Sequence, residues 1–287
     1  MKTNSLVMTL CAQLALLGVA SGAGAAPRDC KGLRVIGLTA DQRLVTFKAC
    51  HPDKTREIGP VSGLGAGDSA LVGIDFRVQD GELYGVADGG GVYTLDPETA
   101  EASFVSQLSV ALAGSSFGVD FNPVADRLRI VSDAGQNLRH DVTAPTGGTT
   151  ADSDLTYTAP PGMPVLATGV AGAAYTNNDA TQMGAPNTAT TLFDLDANLN
   201  QVVVQSPPNN GILAATGALG VDPGSLLGFD IYSRLGDDGQ TLDNHGFAAL
   251  AVDGSTGLYR IDLLSGRASL IGTLGDDATD VALPLDQ

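Results

Sequence analysis

Three phrases of this sequence repeat one another: "GIDF" at Gly73, "GVDF" at Gly118 and "GFDI" at Gly228. Each opens a set of short apolar runs bounded by Gly, Pro, Asn and Asp. The set from Leu71 reads "LVGIDFR", "ELYGVAD", "GVYTLDP" and "ASFVSQL", with turn chemistry at "QDG", "DGGG" and "DPETAE". Short alternating runs between such punctuation make strands, and nothing after the first 25 residues carries the i, i+3, i+4, i+7 spacing of a long amphipathic helix. The chain is all-β in this reading.

A sequence that restarts is the signature of a repeat architecture, because one unit cannot bury its own faces and must stack on the next. Units begin near residues 36, 73, 118, 172 and 228, which predicts about five four-stranded blades. The N-terminal unit has only three strands, "LRVIGLTA", "RLVTFKAC" and "TREIGPVSG", while "ATDVALPLD" near the C-terminus repeats the missing opening phrase. A β-propeller accounts for both facts: the C-terminal strand completes the first blade and covers an otherwise open sheet edge. A β-sandwich, the rival, gives no reason for the split unit. The third unit is followed by the poorly patterned "APTGGTTADSDLTY", and the fourth is read as having one strand shortened or displaced by a polar insertion. In a propeller the opening strand of each blade lines the crowded centre, which suits Gly73, Gly118 and Gly228. Alternation then points Asp75, Asp120 and Asp230 to the same side as those glycines.

The first 25 residues carry one charge, Lys2, then an apolar run from Leu6 to Ala20 and the small residues "SGAGAA". This is a secretory signal with cleavage after Ala23-Gly24-Ala25, leaving residues 26–287 as one exported domain, periplasmic or extracellular. No later segment offers the apolar length of a membrane span. A net charge of −17 makes nucleic acid an improbable partner and fits a solubilising surface. Past the signal, Cys30 and Cys50 fall nearly opposite one another if the chain folds back around Ala40-Asp41-Gln42, so a structural disulfide is expected in an oxidising compartment.

The segments "LVGIDFRVQDGELYGV", "SFGVDFNPVADRLRIVSDAGQNLRHD", "VAGAAYTNN", "TTLFDLDANLNQVVVQSPPNNG" and "GALGVD" resemble the bacterial domain-of-unknown-function family 4394. The resemblance spans nearly all of the chain after the signal and implies a secreted, propeller-like fold. It implies no activity and transfers no catalytic residues.

The residues themselves offer few chemical leads. "GSSFG", Gly114 to Gly118, matches the spacing of a serine-hydrolase nucleophile at Ser116, but that device needs a helix to follow, and a strand follows here. His51, His140 and His245 have no metal-binding spacing. Asp75, Asp120 and Asp230, with Asn122 and Asn177, are the candidates for a central channel, either as hard oxygen ligands for Ca²⁺ or as acceptors for backbone amides of the adjacent blade. Asp237, Asp238 and Asp243 lie in an acidic loop without calcium-loop spacing, and "QSPPNNG", Gln205 to Gly211, is a turn suited to a propeller mouth. The expected function is a non-catalytic binding module for a protein, glycan or small molecule; the alternative is a Ca²⁺-assisted lactonase or esterase built on the central Asp and Asn residues.

Overall fold

The computed structural model describes residues 30–144, 147–159, 162–179, 189–225 and 227–285. The signal expected at residues 1–25 lies outside the described residues. Twenty-two strands account for most of what is described, and the one helical element named among them is a single 3-10 turn, Pro208–Asn210.

The chain starts with β1 (Arg34–Thr39), β2 (Arg43–Lys48) and β3 (His51–Pro60). The second blade is β4 (Leu71–Phe76), β5 (Leu83–Ala87), β6 (Gly91–Leu95) and β7 (Ala102–Gln107). The third is β8 (Phe117–Asn122), β9 (Arg127–Ser132), β10 (Asn137–His140) and β11 (Thr149–Ala151). A hairpin, β12 (Thr156–Ala159) and β13 (Met163–Leu166), precedes the fourth blade, β14 (Val170–Tyr175), β15 (Leu192–Asp196), β16 (Gln201–Gln205) and β17 (Ile212–Ala218). The fifth is β18 (Leu227–Leu235), β19 (Thr241–Val252), β20 (Ser255–Ile261) and β21 (Ala268–Thr273), followed by β22 (Ala278–Ala282).

Strand β22 pairs with β1, so the first sheet runs β22-β1-β2-β3 and joins the two ends of the chain. The innermost strands β22, β4, β8, β14 and β18 then contact one another in that cyclic order, closing a five-bladed propeller. The fourth blade departs from the sequence reading. It is complete, because "ILAATGA" beyond the Pro-rich turn supplies its outer strand, and β12 adds to that strand in parallel, extending the sheet to six. No strand of this blade is displaced: β14 and β15 stand on either side of the polar insertion, of which residues 180–188 lie outside the described residues.

Hydrophobic side chains collect in the seams between blades, one cluster per seam. Ile36, Leu38 and Leu44 meet Ile74, Leu83 and Tyr93 between the first two blades. Phe193 and Leu195 meet Phe229 and Ala248 between the last two. The glycines have the steric role that the crowded centre demands. A Cβ on Gly118 would sit 2.5 Å from the backbone nitrogen of Ala173, and one on Gly228 would sit 2.4 Å from the Cα of Asp280, so the inner strands approach only because these side chains are missing. In the seam between the fifth and first blades, Cys30 and Cys50 form the expected disulfide, with Cα atoms 5.2 Å apart, tying the N-terminal end of the described chain to the β2–β3 turn.

Candidate functional site

Inner strands pack side by side around the axis, so a residue two positions after each close-approach glycine faces the next blade near the centre. Those residues are Asp75, Asp120 and Asp230, and each is buried. Each also accepts a hydrogen bond from the next blade's backbone. Asp75 Oδ2 accepts from Phe121 N–H at 2.7 Å, Asp120 Oδ1 from Tyr175 N–H at 3.0 Å, and Asp230 Oδ2 from Leu283 N–H at 2.6 Å. A fourth aspartate, Asp280 on β22, accepts from Ile74 N–H at 2.7 Å and completes the series across the chain closure. In the fourth blade the equivalent residue is Ala174. There the link to the fifth blade runs through Asn178, whose N–H donates to Ser233 Oγ at 2.9 Å and whose side-chain amide donates to Ile231 C=O at 3.1 Å.

One oxygen from each of Asp75, Asp120 and Asp230 lies within 4.8 Å of the others, a spacing that suits a hard cation with oxygen ligands. Burial pushes the carboxyls of Asp75, Asp120 and Asp280 well above the usual range, and the charges of neighbouring axial aspartates push Asp75 and Asp120 further the same way. Burial raises Asp230 to about 6. Asp120 Oδ2 is buried without a hydrogen-bond partner. Held like this, the group can either keep protons among its oxygens or exchange them for a cation.

A second polar concentration lies in the seam between the third and fourth blades. The other seams are lined by Leu, Ile, Val and aromatic residues, but here the third blade contributes Val131 and little else apolar. Alternation along β9 explains it: Leu128 and Ile130 face the second blade, leaving Arg127, Arg129 and Val131 to face the fourth. Arg129 stands between Asp120 and Arg139 in the strand register and is 3% exposed. Its guanidinium donates to Tyr175 Oη at 3.3 Å, Asn137 Oδ1 at 2.7 Å, Asp152 Oδ2 at 2.8 Å and Asn209 Oδ1 at 2.8 Å, so every nitrogen of this buried charge is hydrogen-bonded. From the fourth blade, Asp196 accepts from Tyr157 O–H at 2.5 Å. Asp194 is fully buried with both oxygens unpartnered; burial lifts its carboxyl well above the usual range, against the pull of the Arg129 charge.

Above Arg129 the seam opens into a cavity of about 320 Å³. The β8–β9 turn supplies Asn122, Ala125 and Arg127, β10 supplies Arg139, and the Pro207–Asn210 turn forms the opposite wall. Antiparallel pairing places this turn, which joins β16 to β17, at the rim where β8 and β14 end. "QSPPNNG" therefore stands at a propeller mouth. Its Asn209 reaches Arg129, and Pro208 C=O accepts from the amides of Asn137 and Gln205.

The two asparagines proposed for the channel stand outside the axial group. Asn122 ends β8, and its Oδ1 accepts from the N–H groups of Val124 and Ala125, capping the turn beside the cavity. Asn177, in the left-handed conformation at φ 61°, pairs reciprocally with the side chain of Asn244 across the seam between the fourth and fifth blades. Both lie at the ends of inner strands, beyond the crowded level where the aspartates meet. Ser116 immediately precedes β8, with no helix after it. His140 is buried between Ser106 Oγ and Thr149 Oγ1, each at 2.9 Å, and burial lowers its pKa. Asp243 pairs with Arg234 and His245, so the acidic loop of the fifth blade spends that carboxylate on its own hairpin.

Sequence reasoning left out Asp280 as a member of the axial set, although the "ATDVA" rhythm carried the signal. It also left out the arginines. Their signal was present as alternation: in "DRLRIVSD" the charged residues occupy every second position of a strand that must be buried on both faces.

The chain matches the family described as Domain of unknown function (DUF4394) over residues 43–282, and no curated protein matches it. Among solved structures it is similar to a structural-genomics protein of unknown function from Bacteroides thetaiotaomicron VPI-5482, at 12% identity and TM-score 0.47, covering 88% of this chain and 64% of that one. It is also similar to an auxiliary nutrient binding protein from Bacteroides ovatus ATCC 8483, at 12% identity and TM-score 0.40, covering 81% and 57%. A third is a candidate 6-phosphogluconolactonase from Bacteroides fragilis NCTC 9343, at 10% identity and TM-score 0.38, covering 84% and 81%. The chain spans less than two thirds of the length of the first two. The family match runs from the first residue of β2 to the last of β22, around the whole ring: the chain belongs to the DUF4394 family.

Proposed function

We propose that this protein is an exported, non-catalytic binding module that takes its ligand at the rim where the inner strands end, in the cavity between the third and fourth blades. The observation that carries the reading is a buried arginine, Arg129, hydrogen-bonded through each of its nitrogens at the base of a rim cavity of about 320 Å³. Burying a charge is expensive, and a propeller seam closes well without one, as the apolar seams on either side demonstrate. A cavity of this size, walled by a few oriented polar groups on rigid strands, has the form of a small-ligand site. Export is supported by the signal-like residues 1–25 and by the Cys30–Cys50 disulfide.

The test is a thermal-shift screen of small molecules and glycans on the mature protein and on Ala125→Trp. Ala125 is exposed on the cavity wall, so a large side chain there blocks the opening without entering the core. Ligands that stabilise the wild type and not the variant support the reading. Ligands that stabilise both equally place binding elsewhere and refute it.

One observation favours the alternative, a Ca²⁺-assisted hydrolase of lactones or esters: the approach of Asp75, Asp120 and Asp230 within 4.8 Å. Those carboxylates would hold the ion, which would polarise a carbonyl or activate water. That reading requires turnover abolished by EDTA and restored by Ca²⁺, whereas the binding module requires neither.

A further inference from the structure

We propose that the rim cavity between the third and fourth blades is an anion site, built for a small hydroxylated carboxylate or phosphate; the inference rests on the rim-binding reading and specifies its chemistry. Three of the 15 basic residues of a chain with net charge −17 line this one cavity. Arg129 and Arg139 are cross-strand partners, and Arg127 lies two residues before Arg129 on the same face. Like charges directly opposite on neighbouring strands repel, so their placement needs anionic compensation.

The chain supplies part of it. Asp152 lends one oxygen to Arg129 at 2.8 Å and the other to Arg139 Nε at 3.0 Å, and Asp141 pairs with Arg127 at 3.0 Å. Three guanidinium groups thus share two carboxylates. Asp194 lies beneath Arg129, and its burial favours the neutral acid. The surplus positive charge sits at Arg139, which lines the cavity, is 40% exposed in its side chain and engages Asp152 through Nε, leaving both terminal nitrogens without a partner among the described residues. Two terminal N–H groups in a plane match a carboxylate or phosphate bidentately. Asn210 flanks them with an exposed amide able to serve hydroxyl groups, which favours a polyol acid or polyol phosphate over a bare hydrophobic acid. Every nitrogen of Arg129 is already engaged by the protein, so it chiefly orients the wall and contributes field.

Isothermal titration at low ionic strength, using mature protein with gluconate, glucose 6-phosphate, inorganic phosphate and neutral glucose, tests this. The expected result is binding of at least one of the anions, weakened by added NaCl, with no binding of glucose. Arg139→Gln should lower affinity about tenfold or more while keeping the melting temperature within a few degrees, and Ala125→Trp should abolish binding. Arg139→Lys, which keeps the charge and loses the planar fork, should fall between. Gluconate without the phosphates identifies a carboxylate site, and the reverse identifies a phosphate site. Glucose bound as well as gluconate, and blocked by Ala125→Trp, overturns the anion inference while leaving the rim reading intact. Anion binding indifferent to both substitutions overturns the two together, and failure of every anion in the panel to bind overturns the anion inference.

Discussion

Replacing Asp230 by asparagine isolates the electrostatics of the propeller axis. Asp230 is buried, and its carboxyl is raised from 3.8 to about 6 because burial disfavours the anion. A folded-state value above the unfolded one means that the folded state holds the proton more tightly. Its contribution is then most favourable below pH 4 and is lost as pH rises through about 6. The full shift corresponds to about 3 kcal/mol, of which about 2 kcal/mol develops between roughly pH 4.5 and pH 7.5. Asp75, Asp120 and Asp280 are raised in the same direction by burial. His140 works in the opposite sense over part of this window, since its buried ring has a lowered pKa and loses stability as pH falls. General repulsion from the net charge of −17 also grows with pH. Comparing the wild type with Asp230→Asn cancels the His140 and net-charge contributions to first order, while removing the Asp230 charge also relieves Asp75, Asp120 and Asp280 in the variant and so adds to the difference in the same direction. Urea denaturation in EDTA at the two pH values should show the wild type losing about 2 kcal/mol or more beyond what the variant loses on going to pH 7.5. The variant also loses an acceptor for either Leu283 N–H or Ile231 N–H, but that cost is shared by both pH values and drops out of the difference. Identical pH profiles for the two proteins would refute the assignment of a buried, proton-holding aspartate at this position.

Three further outcomes follow from the same geometry. Gly118→Ala forces a Cβ to within 2.5 Å of the neighbouring blade's backbone and should cost about 2 kcal/mol or more, whereas Gly224→Ala, whose Cβ meets nothing closer than 3.9 Å, should be near neutral in the same chemical denaturation. Removing the Cys30–Cys50 disulfide as a double serine variant should lower stability by about 3 kcal/mol, read as the midpoint shift in urea, since the bridge closes a separation of 20 residues. If the axial carboxylates hold a divalent ion, Ca²⁺ should raise the melting temperature of EDTA-treated protein, and Asp120→Asn should abolish that rise; the same melting temperature with and without Ca²⁺ would leave protons as the occupants of the axis.

The fold was legible in the sequence because strand periodicity and punctuation are local properties, and a propeller writes them once per blade. "GIDF", "GVDF" and "GFDI" located three inner strands, and "ATDVA" located the one that closes the ring. The disulfide was legible for the same reason, since a hairpin's register follows from its length. Local pattern also set the side on which Asp75, Asp120 and Asp230 lie relative to their glycines, because alternation fixes direction within a strand. It could not set how far from the axis a given position ends. Asn122 is the last residue of its inner strand and Asn177 lies just past the end of another, and both are held by contacts at the strand ends.

What only the tertiary structure decided is which strand faces meet. Arg127, Arg129 and Arg139 share one face of the third blade through the β9–β10 pairing, and they become the wall of a cavity only when that blade is set against the fourth. Asn209 becomes their partner from a turn 80 residues beyond Arg129. The same holds for the axis, where strands distant in sequence bring carboxylates within a few ångströms of each other. Periodicity fixes the face of a strand, because that depends on neighbours two residues away; the chemistry of a seam depends on what the facing blade presents, and ring closure alone determines that.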